Sequence, residues 1–253
     1  MSRSREQLRI LLLQIRDEAL TRREELESFA RFSGLLPEQF SILNLFDTPE
    51  FDPALVNDFD ALYVGGSSEA SVLETERYPF VLAAQDLLRY CMAQRVPVFA
   101  SCFGHQLAVM ALGGSVVRDD RDFEMGTIPI HLTDQARADP LYRDAPNPFI
   151  AVSVHRERAT GLPDNCEGLA FTDACLHSFR VKGLPFWTTQ FHPEVSKSIL
   201  ISRLTIFKEK YTDGDGHLQQ VLAGAVETPD SNNLLRKFVD RVLLGEGGGL
   251  NSA

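Results

Sequence analysis

Short apolar runs that alternate with stretches of helical periodicity constrain this chain more than any other feature. Residues 8–15, 61–64 and 96–101 are mostly apolar, and a strand of that kind has to be covered on both faces. Between them, residues 17–32 carry Leu20, Leu26, Phe29 and Phe32 among charges at helical spacing, and residues 79–95 read as a helix with Pro79 in its first turn. Residues 40–45 read as a further strand, followed by a turn at Asp47-Thr48-Pro49. Such alternation implies an α/β fold, a parallel sheet with helices on both faces and ligands at the carboxyl ends of the strands. At 253 residues the chain can build one substantial core.

After Leu112-Gly113-Gly114 the pattern changes to short segments at 115–118, 127–132, 149–154 and 168–172, separated by Asp- and Pro-rich turns. A mixed or antiparallel extension of the sheet is expected there. Residues 175–181 and 186–190 flank the turn Lys182-Gly183-Leu184-Pro185 and predict a hairpin whose second strand runs into Phe191-His192-Pro193-Glu194. Helical patterns then cover 195–211, 217–226 and 231–244, interrupted by a polar turn at 212–216. The reading is an α/β domain over residues 1–211, a helical extension over 212–244 and a flexible tail over 245–253.

A net charge of −10 works against a general electrostatic footprint for nucleic acid. The apolar run at residues 10–13 is too short for a signal-peptide core and no stretch is long enough to cross a membrane, so a cytoplasmic protein with no membrane partner is expected. The four cysteines, Cys91, Cys102, Cys166 and Cys175, form no CxxC pair, which argues against a metal knuckle or a disulfide scaffold. Cys91 and Cys175 are read as buried small hydrophobes. No cofactor and no metal is indicated.

Cys102 is different. Val96-Pro97-Val98-Phe99-Ala100-Ser101 leads into it as a strand, and Phe103 to Leu112 leaves it as a helix. A side chain on that turn stands at the helix amino end, where unpaired N–H groups and the dipole favour a thiolate. A cysteine nucleophile needs a base, and the base needs an orienting carboxylate; His192 and Glu194, held across the rigid Pro193 at another strand end, supply both types. Acyl transfer also needs donors for an oxyanion, which the N–H groups of Gly65-Gly66 and of Phe103 are placed to provide.

These residues resemble the class I glutamine amidotransferases. The family's nucleophile motif C-x-G-x-Q is matched by Cys102-Phe103-Gly104-His105-Gln106, its distal H-P-E by His192-Pro193-Glu194, and its early Gly-Gly turn by Gly65-Gly66. The resemblance runs in order from Ile10 to Phe207 and implies a flavodoxin-like fold with a mixed, mostly parallel sheet. It further implies that Cys102 attacks the carboxamide of glutamine, His192 shuttles the proton and Glu194 orients it. The oxyanion would lie near Gly66 and Phe103, and Gln106 would help bind substrate. The products would be glutamate and ammonia, the latter passed to a synthetase partner. No fused synthetase segment is read, so the resemblance is to a free-standing member. A γ-glutamyl peptidase acting on γ-glutamyl amides or peptides is an alternative, and a silent glutamine-binding regulator is another.

The match has departures. Ala100 stands where the family usually has Gly, and Val154-His155-Arg156-Glu157 where it commonly reads Ser-His-x-Asp. His105 is read as a helix residue packing beside the elbow, and His155 as a satisfied or surface histidine near the site. Glu124-Met125-Gly126 is read as a solvated turn, with an acidic-x-Gly segment beside the substrate pocket as the alternative.

Overall fold

The computed structural model describes residues 4–120, 123–206 and 215–246. Its parallel strands are β1 (Ile10–Gln14), β2 (Phe40–Asn44), β3 (Ala61–Val64), β4 (Val98–Ser101) and β11 (Phe186–Thr189). The extension comprises β5 (Val116–Arg118), β6 (Glu124–Leu132), β7 (Phe149–His155), β8 (Glu157–Ala159), β9 (Cys166–Phe171) and β10 (Leu176–Val181). Among the described residues, nine strands form one sheet in the order β2-β1-β3-β4-β11-β10-β9-β6-β7, and β5 pairs with β8 beside it. Pairing is parallel from β2 to β11 and antiparallel from β11 to β7.

Alternation of side chains explains why the parallel strands look continuously apolar. Leu11 and Leu13, Leu62 and Val64, and Val98 and Ala100 face one core, whereas Ile10 and Leu12, Ala61 and Tyr63, and Phe99 face another. The first core is covered by α2 (Phe80–Gln94) and α3 (Phe103–Ala111). The second is covered by α1 (Ala19–Ser33) and by α6 (Pro229–Lys237), which continues as a π-helical turn at Phe238–Leu243. Phe238 packs edge-on against Tyr63, Phe99 and Trp187, so the C-terminal segment completes the main core.

α4 (Lys197–Ile206) and α5 (Asp215–Gly224) supply a third, smaller core against Met125 and Val152. The helix expected at 195–211 is described as far as Ile206; residues 212–214 of the expected turn and 247–253 of the expected tail lie outside the described residues. Two expectations are corrected. Leu20 is 65% exposed on the outer side of α1, and Glu124-Met125-Gly126 opens a long strand, because it pairs residue for residue with Ser153 to His155 instead of turning. Among the described residues no helix is long and apolar enough to cross a membrane.

Candidate active site

Strand β4 ends at Ser101 and helix α3 begins at Phe103, so one residue has to reverse the chain. That residue is Cys102, with φ 50° and ψ −101°. A side chain at positive φ costs on the order of 1–3 kcal/mol, which the surroundings have to offset. Its N–H donates to the Thr189 carbonyl at 2.7 Å, latching the turn to β11, and its carbonyl accepts from the Gln106 N–H at 3.1 Å. Gly104 lets the helix start this close to the sheet: a Cβ there would lie 2.9 Å from Val64 Cβ and 3.0 Å from its carbonyl oxygen. Ala100 is accommodated, fully buried in the first core.

His192 lies just past the end of β11, its N–H donating to the Val152 carbonyl at 2.8 Å. Its imidazole stands beside Cys102, whose Sγ lies 4.0 Å from the Val154 carbonyl oxygen, and its Nδ1 lies 2.6 Å from Glu194 Oε1. Burial opposes charge on this ring, yet Cys102 and Glu194 outweigh it and raise His192 to about 10. Glu194 is fully buried, which opposes its charge, but His192 and then Arg203 hold its carboxyl below the usual range. Cys102, His192 and Glu194 are therefore brought together, with the imidazole next to both of the other groups. His105, the other histidine near the elbow, is fully buried with Nδ1 at 2.8 Å from Thr188 Oγ1. Burial pushes it down to about 3, so it stays neutral and packs as expected.

The turn after β3 approaches the same point. A Cβ on Gly66 would lie 3.0 Å from His192 Cε1 and 3.6 Å from Cys102 Cβ, while one on Gly65 would meet the Glu25 carboxylate at 2.6 Å. Behind this turn Arg16 pairs with Glu25 at 3.0 Å with both side chains buried, and Arg16 Nη1 donates to Ser68 Oγ at 2.9 Å. The two glycines thus mark close approach to a buried ion pair on one side and to the site on the other, which neither the turn nor the sequence pattern alone discloses.

An open cleft is lined by Ser67, Cys102, Phe103, Gln106, Arg118 and His155 among others. Phe103 opens α3, where the first amides have no acceptor within the helix. Gln106 reaches the cleft with its amide already engaged, donating to the Glu157 carbonyl at 2.8 Å. Sequence reasoning missed Gln190, whose Nε2 lies 3.8 Å from Cys102 Sγ, although its place two residues before His192 could have suggested it. It also missed a cluster behind the cleft wall. Glu124 Oε2 lies 2.8 Å from His155 Nε2 and 2.6 Å from His177 Nε2, with Cys175 Sγ 4.0 Å away. His155 is thus a buried histidine with both ring nitrogens against oxygen atoms, while Cys175 is half-buried beside a carboxylate and not enclosed in the apolar core.

Residues 75–204 match the family model described as glutamine amidotransferase class-I. The chain is 30% identical over 158 residues to a glutamine-hydrolysing GMP synthase of Borreliella burgdorferi, covering 62% of this chain and 30% of that protein. It is 33% identical over 119 residues to one subunit of a glutamine-hydrolysing GMP synthase of Methanococcus vannielii, covering 47% of this chain and 61% of that relative. The aligned parts therefore span less than two thirds of either relative. In fold it is similar to a glutamine amidotransferase from Thermotoga maritima, with a TM-score of 0.76 at 19% identity over 93% of this chain and 98% of that one. With the strand–elbow–helix at Cys102 and the matched segment spanning it, this chain belongs to the class-I glutamine amidotransferase family.

Proposed function

We propose that this protein hydrolyses a γ-glutamyl amide, most simply glutamine, through a thioester on Cys102. The observation that carries the reading is the His192 imidazole set between Cys102 and the buried Glu194 carboxylate, with the sulfur at a helix amino end and lining an open cleft. In this reading the Cys102 thiolate attacks the carboxamide carbon and the oxyanion is met by the N–H groups of Gly66 and Phe103. His192 gives its proton to the departing nitrogen, ammonia leaves, and His192 then takes a proton from water as it attacks the γ-glutamyl thioester. Water supplies the hydroxyl of the product glutamate, and the thiolate is regenerated. Glu194 keeps the imidazole oriented and offsets its charge in a buried setting. Gln106 and Gln190 shape the wall beside the sulfur and hold the cleft end of α3 against β11.

The glutamine-hydrolysing GMP synthase relatives support glutamine as substrate and a synthetase as the acceptor of ammonia. Glutamate release from glutamine and from γ-glutamyl dipeptides, with wild type and Cys102→Ala in parallel, tests this. Release from glutamine that depends on Cys102 supports the amidotransferase reading. Release from dipeptides alone would move the assignment to a γ-glutamyl peptidase. No release from either, with no labelling of Cys102 by a glutamine-like electrophile, would leave a non-catalytic glutamine binder.

A further inference from the structure

The cluster behind the cleft wall comes from three separate strands. Glu124 begins β6, His155 ends β7 directly opposite it, and Cys175 and His177 lie at the start of β10. Strand β6 joins the rest of the sheet by pairing with β9 only at His131 and Leu132, so its Glu124 end reaches β10 through side chains alone. One ligating atom from each of Glu124, His155, Cys175 and His177 lies within 4.8 Å of all the others. Both imidazoles are buried, at 3% and 0% exposure, and each aims Nε2 at the same carboxylate oxygen.

The hydrogen-bond inventory of this cluster does not close by itself. His155 Nδ1 faces the Glu157 carbonyl at 3.0 Å, and a carbonyl can only accept, so Nδ1 carries the proton. In the neutral ring Nε2 is then a bare lone pair facing the lone pairs of Glu124 Oε2 at 2.8 Å. Two acceptors so placed repel, and a cation between them turns the contact into an attraction. His177 meets the same oxygen at 2.6 Å, where its neutral ring donates from Nε2 and leaves the buried Nδ1 without a hydrogen-bond partner among the described residues; a metal ion would displace that Nε2 proton. The carbonyl behind His155 is also the arrangement that orients an imidazole as a metal ligand.

We propose that Glu124, His155, Cys175 and His177 form a binding site for a divalent transition-metal ion, of which zinc is the best chemical fit. Two imidazoles, a thiolate and a carboxylate select a borderline-soft ion over magnesium or calcium. A tetrahedron with bonds of about 2.0–2.3 Å sets ligand atoms about 3.3–3.8 Å apart, so binding opens the two short contacts by roughly half an ångström to an ångström. Four protein ligands leave no open position, which makes the ion a clamp that ties the ends of β6 and β7 to β10, one side chain behind the cleft. An entry path exists: a shallow depression lined by Glu124, Thr172, Asp173 and Ala174 reaches the cluster from the surface. The inference stands independently of the hydrolase reading, since none of its arguments uses Cys102, His192 or Glu194.

The test uses the full chain in a Cys102→Ala background, so that the nucleophile cannot take up metal. Chelator-treated protein is titrated with Zn2+ for stoichiometry and with Co2+ for its absorption spectrum, and thermal unfolding is followed with and without Zn2+. The expected result is about one Zn2+ per chain, an intense tetrahedral Co2+ spectrum with a thiolate charge-transfer band, and a thermal midpoint that rises with Zn2+. Cys175→Ser should remove the charge-transfer band, and His177→Gln should weaken Zn2+ binding at least about tenfold. Failure of the Cys102→Ala protein to take up stoichiometric metal would overturn the proposal, and that result needs no folded cluster variant. Binding unchanged in both cluster variants would also overturn it, as would a His155 ring found doubly protonated at neutral pH in protein that takes up no metal.

Discussion

This chain assembles cysteine, histidine and glutamate twice, in two geometries. At the elbow the imidazole of His192 is central, with Cys102 on one side and Glu194 on the other. Behind the cleft a carboxylate oxygen is central, with His155, His177 and Cys175 around it. A ring between a sulfur and a carboxylate can pass a proton along a line. Several lone pairs converging on one point can do little except share a proton or hold a cation. The same side-chain types thus acquire different chemistry from which atom is in the middle, and the backbone decides that. In the first case a strained turn and a strand end present the groups in sequence; in the second, antiparallel register stacks them against one another.

The sharpest way to break this distinction is Cys102→Ala, which should lower kcat for glutamate release by at least about 10³-fold while leaving metal uptake intact. Glu194→Gln should cost about 10²–10⁴-fold in kcat, because the buried ring loses the charge that compensates it. The alkaline limb of the pH–rate profile should move to lower pH in the same variant. Gly66→Ala should cost about 10–100-fold, since its methyl displaces the His192 ring it would contact at 3.0 Å; a structure or a KM-against-kcat comparison locates the effect.

Stability should report the same three groups. The folded value of His192, about 10, lies above the ordinary imidazole value near ~6.5, so its stabilising contribution is complete below that pH and is lost as pH rises through about 10. Urea midpoints measured from pH 6 to 10.5 should fall over that window in wild type, and less so in His192→Asn. The smallest effect belongs to the second cluster: Cys175→Ser should leave kcat within about twofold, because the residue lies outside the cleft.

Most of the parallel half of the fold was legible in the sequence. Strands buried on both faces are continuous apolar runs, so β1, β3 and β4 announce themselves, and Cys102 is marked by the helix that follows it. His192-Pro193-Glu194 was legible because three residues in a row carry the geometry. The other half yields less to a linear reading. Glu124 resembles a solvated turn residue, and its partners lie at positions 155, 175 and 177, joined only by the register of strands that are not neighbours in sequence. His177 has no local signal beyond its place in a hairpin strand. The buried pair Arg16–Glu25 is equally silent, since each looks like an ordinary charge beside a helix until Gly65 and Gly66 pack over it.

The hydrogen bond from the Cys102 N–H to the Thr189 carbonyl has a further consequence for how such a site can vary. Strands β4 and β11 are adjacent and in register, Ser101 opposite Thr189, so the gap between sulfur and imidazole is one inter-strand step of about 4.8 Å plus two short extensions. Distance along the chain does not enter. Loops between residues 112 and 185 can lengthen or shorten without moving the pair, whereas one residue inserted between Thr189 and His192 would carry the ring out of reach. The sheet acts as a gauge block, and the long excursion of chain between these two adjacent strands is free to acquire other uses.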